Sequence, residues 1–139
     1  RAVALAMVAP RQWALIDSFG RVLTGGLSYP PDLPRLSGVH AAGIPGSYMT
    51  NDSKPLLSVL GALPTDLAQR VLSLRRDVNG EISGSLASGQ EVIFGDEDRL
   101  VAKVLALVAV LSHLGDQNRS DRYIDVSIPE VAAVGRKRR

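Results

Sequence analysis

The chain has 139 residues, 45% of them hydrophobic and 22% charged, with no cysteine and a formal net charge of +2. A chain of this length forms one domain that buries about 70% of its unfolded surface; its composition excludes disordered and fibrous classes, and the lack of cysteine excludes disulfides, thiolate metal sites and Cys nucleophiles without fixing the compartment. Four basic residues, Arg136, Lys137, Arg138 and Arg139, close the sequence; without them twelve basic residues stand against fourteen acidic ones, a net of −2, so only this tail offers simple electrostatic attraction to nucleic acid or an anionic membrane surface.

The apolar runs at residues 2–9 and 104–111 are far shorter than the roughly 20 residues of a membrane span. The first residue is Arg1, as expected of an excerpt from a longer chain. Residues 2–9, closed by Pro10, have the length of a strand or a short buried segment. Residues 12–17 and 21–24 read as a hairpin around Ser18, Phe19 and Gly20. From Gly25 to Gly46 the repeated prolines and glycines predict an irregular connection. Asp52 and Ser53 cap a helix that carries Leu56, Leu57, Leu60 and Leu63 and stops at Pro64; a second short helix then runs to about Val71.

The period now changes to two. Residues 72–77 predict a strand with Leu72 and Leu74 on one face, Asn79 and Gly80 a turn, and residues 81–86 and 90–94 two further strands of a meander. Asp96, Glu97 and Asp98 are placed in the first turn of a long helix whose apolar face is Leu100, Val104, Leu107, Val108, Leu111 and Leu114, ending at Gly115. A polar loop over residues 116–122 leads to the last stretch. The expected fold is α+β: a mainly antiparallel sheet with helices packed on one side and an edge strand at the C-terminus.

That last stretch, YIDVSIPEVAAVG at residues 123–135, alternates as a strand with one buried face, Ile124, Val126 and Ile128 pointing one way and Asp125 and Ser127 the other. Pro129 has no N–H for a ladder, which marks the strand as lying at a sheet edge.

Chemistry-bearing clusters are few. His40 and His113 lack further ligands at metal spacing, so no metal or other cofactor is expected. Residues 43–47 have the outline of a phosphate loop but lack its lysine and place Pro45 where an N–H is wanted. Asp96, Glu97 and Asp98 suit helix capping better than paired-carboxylate catalysis. The sequons at residues 51–53 and 118–120 matter only in a eukaryotic secretory setting. Six aromatic residues are too few for an RNA-binding sheet, and no nucleophile, base and oxyanion donor assemble, so the expectation is a protein that is not an enzyme.

Four sets of segments stand in order along the chain: Trp13-Ala14-Leu15-Ile16-Asp17 with Gly20-Arg21-Val22-Leu23, Leu33-Pro34-Arg35-Leu36-Ser37-Gly38, the run from Leu86 to Gly95 leading through Leu100 and Lys103, and Tyr123-Ile124-Asp125-Val126. Together they are similar to the extracytoplasmic β domain of the FtsQ/DivIB bacterial cell-division family. The resemblance implies a domain at residues 1–135 followed by a basic tail at 136–139. It also implies a single-pass membrane protein with a short cytoplasmic part, one transmembrane helix and a POTRA domain before this one, located at the division septum. Its role would be that of a non-enzymatic scaffold that recruits FtsB and FtsL. Joined to the edge-strand reading, it makes Ile124, Asp125, Val126, Ser127, Ile128, Pro129, Glu130, Val131 and Ala132 the candidate partner-binding residues, acting by β-strand addition. The alternative is a nucleic-acid or anionic membrane surface binder working through the tail.

Overall fold

The computed structural model describes residues 2–38, 43–114 and 122–136. The chain forms strands β1 (Ala2–Ala9), β2 (Gln12–Asp17), β3 (Val22–Leu27), β4 (Arg35–Ser37), β5 (Val71–Arg76), β6 (Ile82–Leu86), β7 (Glu91–Gly95), β8 (Arg122–Asp125) and β9 (Ala133–Arg136). These lie in one sheet in the order β3-β2-β1-β4-β5-β6-β7-β8-β9. Neighbours are antiparallel except at β1–β4, β4–β5 and β7–β8, which are parallel. The sheet is thus mixed but mainly antiparallel, the fold is α+β, and the C-terminal strand lies at the edge.

Three hairpins use one turn chemistry. After Asp17, Asp77 and Leu86 the chain passes through three residues, the last a glycine, and the first residue donates its N–H to the carbonyl of the residue four positions on. Gly20, Gly80 and Gly89 take φ of 84°, 83° and 92°, a region that L side chains avoid. In the first two turns the aspartate adds a lock: Asp17 Oδ1 accepts the N–H groups of Phe19 and Arg21, and Asp77 Oδ1 those of Asn79 and Glu81, all at 2.9 Å. Only Gly80 of the Asn79-Gly80 pair needs positive φ.

Helices α1 (Lys54–Ala62), α2 (Thr65–Ala68) and α3 (Leu100–Leu114) cover one face of this sheet. Leu56, Val59, Leu67, Val104 and Leu107 from the helices meet Ala4, Ile16, Leu36, Leu74, Ile82, Val92, Phe94, Ile124 and Val126 from the strands in one apolar core. The opposite face carries polar cross-strand pairs, including Arg75 Nε to Ser83 Oγ at 2.8 Å and Arg75 Nη2 to Glu91 Oε1 at 2.7 Å. Near its other end Arg35 lies over the Trp13 ring, 4.8 Å from the centroid. The asymmetry follows from strand periodicity, because alternate residues face opposite sides.

Four details differ from the sequence reading. The irregular connection after Gly25 contains the end of β3 and all of β4, a three-residue strand that joins the two halves of the sheet by pairing in parallel with β1 and β5. In β5 the pairing register shifts between Val71 and Ser73, so Val71 and Leu74 are buried while Leu72 is exposed. Long helix α3 starts at Leu100, not at Asp96, because Asp96 folds back through its side chain onto Lys103 and Asp98. On that helix Val108 is 36% exposed, while Lys103 is buried on the inner face. The expected helix stop at Gly115, the loop to residue 121, His40 and residues 137–139 lie outside the described residues.

Candidate functional site

Strand β8 lies between β7 and β9, and the expected continuous strand over residues 123–135 is in fact a hairpin broken by a turn. The physical reason begins at Asp125. Its Oδ1 accepts the Ser127 N–H at 3.0 Å and the Ser127 hydroxyl at 2.6 Å, a local closure that diverts the backbone from the ladder. Gly95, at φ 74°, leaves room for this bend: a Cβ there would stand 2.9 Å from Ser127 Cβ. A single 3-10 turn, Pro129–Val131, follows, with Val131 N–H donating to the Ile128 carbonyl at 3.0 Å. Pro129 therefore opens a helical turn, where its missing N–H costs nothing, and is not a strand residue.

The candidate partner residues consequently separate. Ile124 and Val126 are fully buried in the core and serve the fold. Asp125 and Ser127 close the turn. Ile128, Glu130 and Val131 are exposed around the 3-10 turn, while Pro129 and Ala132 are half-buried. Arg99 donates to Glu130 Oε1, tying the turn to the residue before α3. That hydrogen bond, joined by the Glu130 backbone N–H, holds the Glu130 carboxyl below the usual carboxylate range and raises Arg99. The strand lying at the edge is β9, which the sequence reading had merged with β8.

Backbone alternation identifies the groups that β9 leaves open. Val126 donates its N–H to the Ile93 carbonyl at 2.9 Å, so even-numbered residues of β8 turn their polar groups to β7. Tyr123 and Asp125 then face β9, opposite Gly135 and Ala133. Val134 and Arg136 are left with N–H and C=O groups directed outward. At the other end of the sheet the chain covers the start of its edge strand: Val22 N–H donates to the Ser47 carbonyl at 2.7 Å, Gly46 N–H to that of Val22 at 2.8 Å and Met49 N–H to that of Gly20 at 2.8 Å. The phosphate-loop look-alike at residues 43–47 is part of this cover, its Gly46 and Ser47 N–H groups already donating to chain carbonyls. Among the described residues no segment pairs with the outer side of β9.

Those geometric facts acquire a biological frame from comparison. The profile of the family described as cell division protein FtsQ/DivIB, C-terminal, matches residues 4–127. The chain belongs to the FtsQ/DivIB cell-division family. Its fold agrees with that of the major extracytoplasmic domain of the trans isomer of the bacterial cell division protein DivIB from Geobacillus stearothermophilus, at a TM-score of 0.56 and 17% identity, covering 86% of this chain and 96% of that one. No curated relative matches the sequence. The FtsQ/DivIB match stops before the 3-10 turn and β9, so the open edge lies just beyond the part that carries the family signature.

Two other features of this FtsQ/DivIB domain bear on chemistry. A groove of about 990 Å³ is lined by residues that include Pro30, Pro31, Leu33, Leu57, Leu60 and Leu72. Its charged lining is Asp32 and Arg35, and none of the groups with displaced pKa values lies in it. Among the described residues no three His, Asp or Glu side chains gather as a metal site, and no helix is long and apolar enough to cross a membrane.

Lys103 entered the sequence reading only as part of a family-like segment, and its burial was not anticipated. It is 2% exposed, and its Nζ donates to the Asp96 carbonyl at 2.9 Å and to Asp96 Oδ1 at 2.8 Å. The available signal was a lysine within an apolar helix face, seven residues after an aspartate. The Lys103 hydrogen bond, with the Asp98 N–H and the ammonium charge, holds the Asp96 carboxyl below the usual range. A depressed folded-state pKa contributes stability that is fully present above the unfolded value and is lost as pH falls through the folded one. Acidification is therefore expected to weaken the β7–α3 corner by leaving the buried ammonium without its carboxylate. Urea unfolding at about pH 6 and about pH 3 should show a smaller loss for Asp96→Asn than for the parent. Identical losses in both proteins would exclude Asp96 as the source.

Proposed function

We propose that this domain is a non-catalytic scaffold module of the bacterial division machinery and takes up an extended segment of an FtsB- or FtsL-type partner by strand addition at its C-terminal edge. The observation that carries the reading is the contrast between the two sheet edges: the start of β3, at Val22, and the residues just before it are paired with residues 46–49, whereas Val134 and Arg136 in β9 direct backbone groups outward. An unpaired edge invites another strand, and proteins normally blunt it unless it is used. Main-chain groups then supply affinity, and alternate side chains supply selectivity. Ile128, Glu130 and Val131 flank this edge and belong to the proposed partner surface, so of residues 124–132 the exposed ones of the turn contribute contacts while β9 contributes the ladder. The family assignment supports a location at the septum, outside the cytoplasmic membrane, with an anchoring segment and a POTRA domain preceding this one.

Hydrogen exchange tests the reading directly. On addition of an FtsB-derived peptide, the amides of Val134 and Arg136 are expected to gain protection, while those of Val78 to Gly80, at a distant hairpin, are not. Protection confined to other strands, with β9 exchanging as in the free protein, would show that the partner binds elsewhere.

A further inference from the structure

We infer that the outer face of α3 is a self-complementary seam on which a second copy of this chain docks, the two helices antiparallel about a two-fold axis. The seam contains neither β9 nor the 3-10 turn, so this pairing stands apart from strand addition.

Helix α3, LVAKVLALVAVLSHL, lies on the surface and yet carries a single charged residue, Lys103, which is turned inward and 2% exposed. A surface helix ordinarily sets polar residues opposite its buried stripe, and one that is apolar all round is covered on both sides. Here the inner side, with Val104 and Leu107, meets the core, while Val101, Leu105 and Val108 are 70%, 64% and 36% exposed. Together with Ser112, also exposed, these residues follow one another at intervals of four, three and four. That is the a/d spacing of a coiled-coil seam, kept over three turns and about 16 Å of helix. Ala102 and Ala109, seven residues apart, border the seam with small side chains, which lets a second helix axis approach to about 8–10 Å.

The order of the side chains selects the occupant. Set antiparallel against a second α3, the seam places Leu105 against Val108 of the second copy and Val101 against Ser112 of the second copy. Each contact then occurs twice about the axis, as an isologous interface requires. No charged side chain lies on the seam to be buried unpaired. The ends match by charge: Glu97 and Asp98 stand exposed just before the helix, and antiparallel docking brings them to the end of the second helix, beside its exposed His113. A parallel pair would instead set these carboxylates against one another. Three large apolar residues per copy are fewer than an interface of about 800 Å² per partner holds, so the dimer is weak, with a dissociation constant of the order of 100 µM.

Sedimentation velocity of the full 139-residue chain from about 5 to about 500 µM tests the pairing. The weight-average mass is expected to rise toward twice that of the monomer. Leu105→Asp, at a position exposed enough for the monomer to keep its fold, should weaken association at least about tenfold by setting a carboxylate against Val108 of the second copy. Orientation is read by crosslinking, since the chain has no cysteine of its own. An equimolar mixture of Leu105→Cys and Val108→Cys under mild oxidation should form the mixed disulfide severalfold faster than either variant forms its homodimer. A chain that stays monomeric throughout, association unchanged in Leu105→Asp, or homodimeric disulfides favoured over the mixed one would each overturn the pairing. Co-sedimentation of a persistently monomeric chain with phosphatidylglycerol vesicles, lost in Leu105→Asp, would overturn it as well and assign the face to a lipid surface.

Discussion

Leu107→Asp is expected to abolish the cooperative fold. Leu107 is 1% exposed on the inner face of α3, packed in the core that the helices share with the sheet. Truncation of a buried leucine alone costs about 2–5 kcal/mol. A carboxylate there adds an unpaired charge in an apolar site, which brings the loss to the order of total stability, about 5–15 kcal/mol. Thermal unfolding by circular dichroism should therefore show no cooperative transition for the variant. Val101→Asp and Leu105→Asp provide the control, because these positions on the same helix are 70% and 64% exposed. Each is expected to stay within about 0.5 kcal/mol of the parent. A Leu107→Asp protein that melts near the parent temperature would falsify the assignment of this face to the core.

Two proline variants one residue apart are expected to behave oppositely. At Val134 the N–H points to the open edge, so Val134→Pro removes a donor that the folded domain does not use; edge strands tolerate proline in this position. Its melting transition should remain cooperative, while affinity for an FtsB-type peptide falls at least about tenfold through the lost donor and the ring projecting at the incoming strand. At Gly135 the N–H pairs with β8, so Gly135→Pro breaks the ladder itself. That change is expected to cost about 1–3 kcal/mol and to release β9. Val131→Pro, by contrast, acts on the hydrogen bond that closes the 3-10 turn and does not probe the edge. Undiminished peptide affinity in Val134→Pro, together with a weakened fold, would mean that the alternation runs the other way.

Much of this arrangement was legible in the residues. The meander from Val71 to Gly95 and the first hairpin follow from period-two patterning and from glycine at the turn position that demands positive φ. Both signals are local, because each acts within a few residues of where it is read. Strand β4 escaped notice because its three residues sit among prolines and only Leu36 is buried, so no periodicity can develop. What makes it a strand is pairing on both sides, with Leu5 and Ala6 in one direction and Ser73, Leu74 and Arg75 in the other. Lys103 was hidden for a related reason: a lysine on an apolar helix face is ordinarily exposed, and its burial depends on a carboxylate and a carbonyl that the bend at Asp96 brings within 3 Å.

By itself the sequence determined that this is an α+β domain with a mainly antiparallel sheet, one helix-covered face and a strand edge near the C-terminus, and it carried the segments by which the family is recognised. It did so because side-chain alternation, turn glycines and the apolar face of α3 are all written in local order. Tertiary structure alone decided which residues form that edge. The alternation of Ile124, Val126 and Ile128 reads as one strand until the Asp125 carboxylate captures Ser127 and Pro129 starts a turn, folding the chain back so that Ile124 and Val126 are core and Val134 and Arg136 are open. The hydrogen-bond direction of an edge residue is inherited strand by strand across the ladder, from Ile93 to Val126 and thence to β9, and it exists only once those strands have paired.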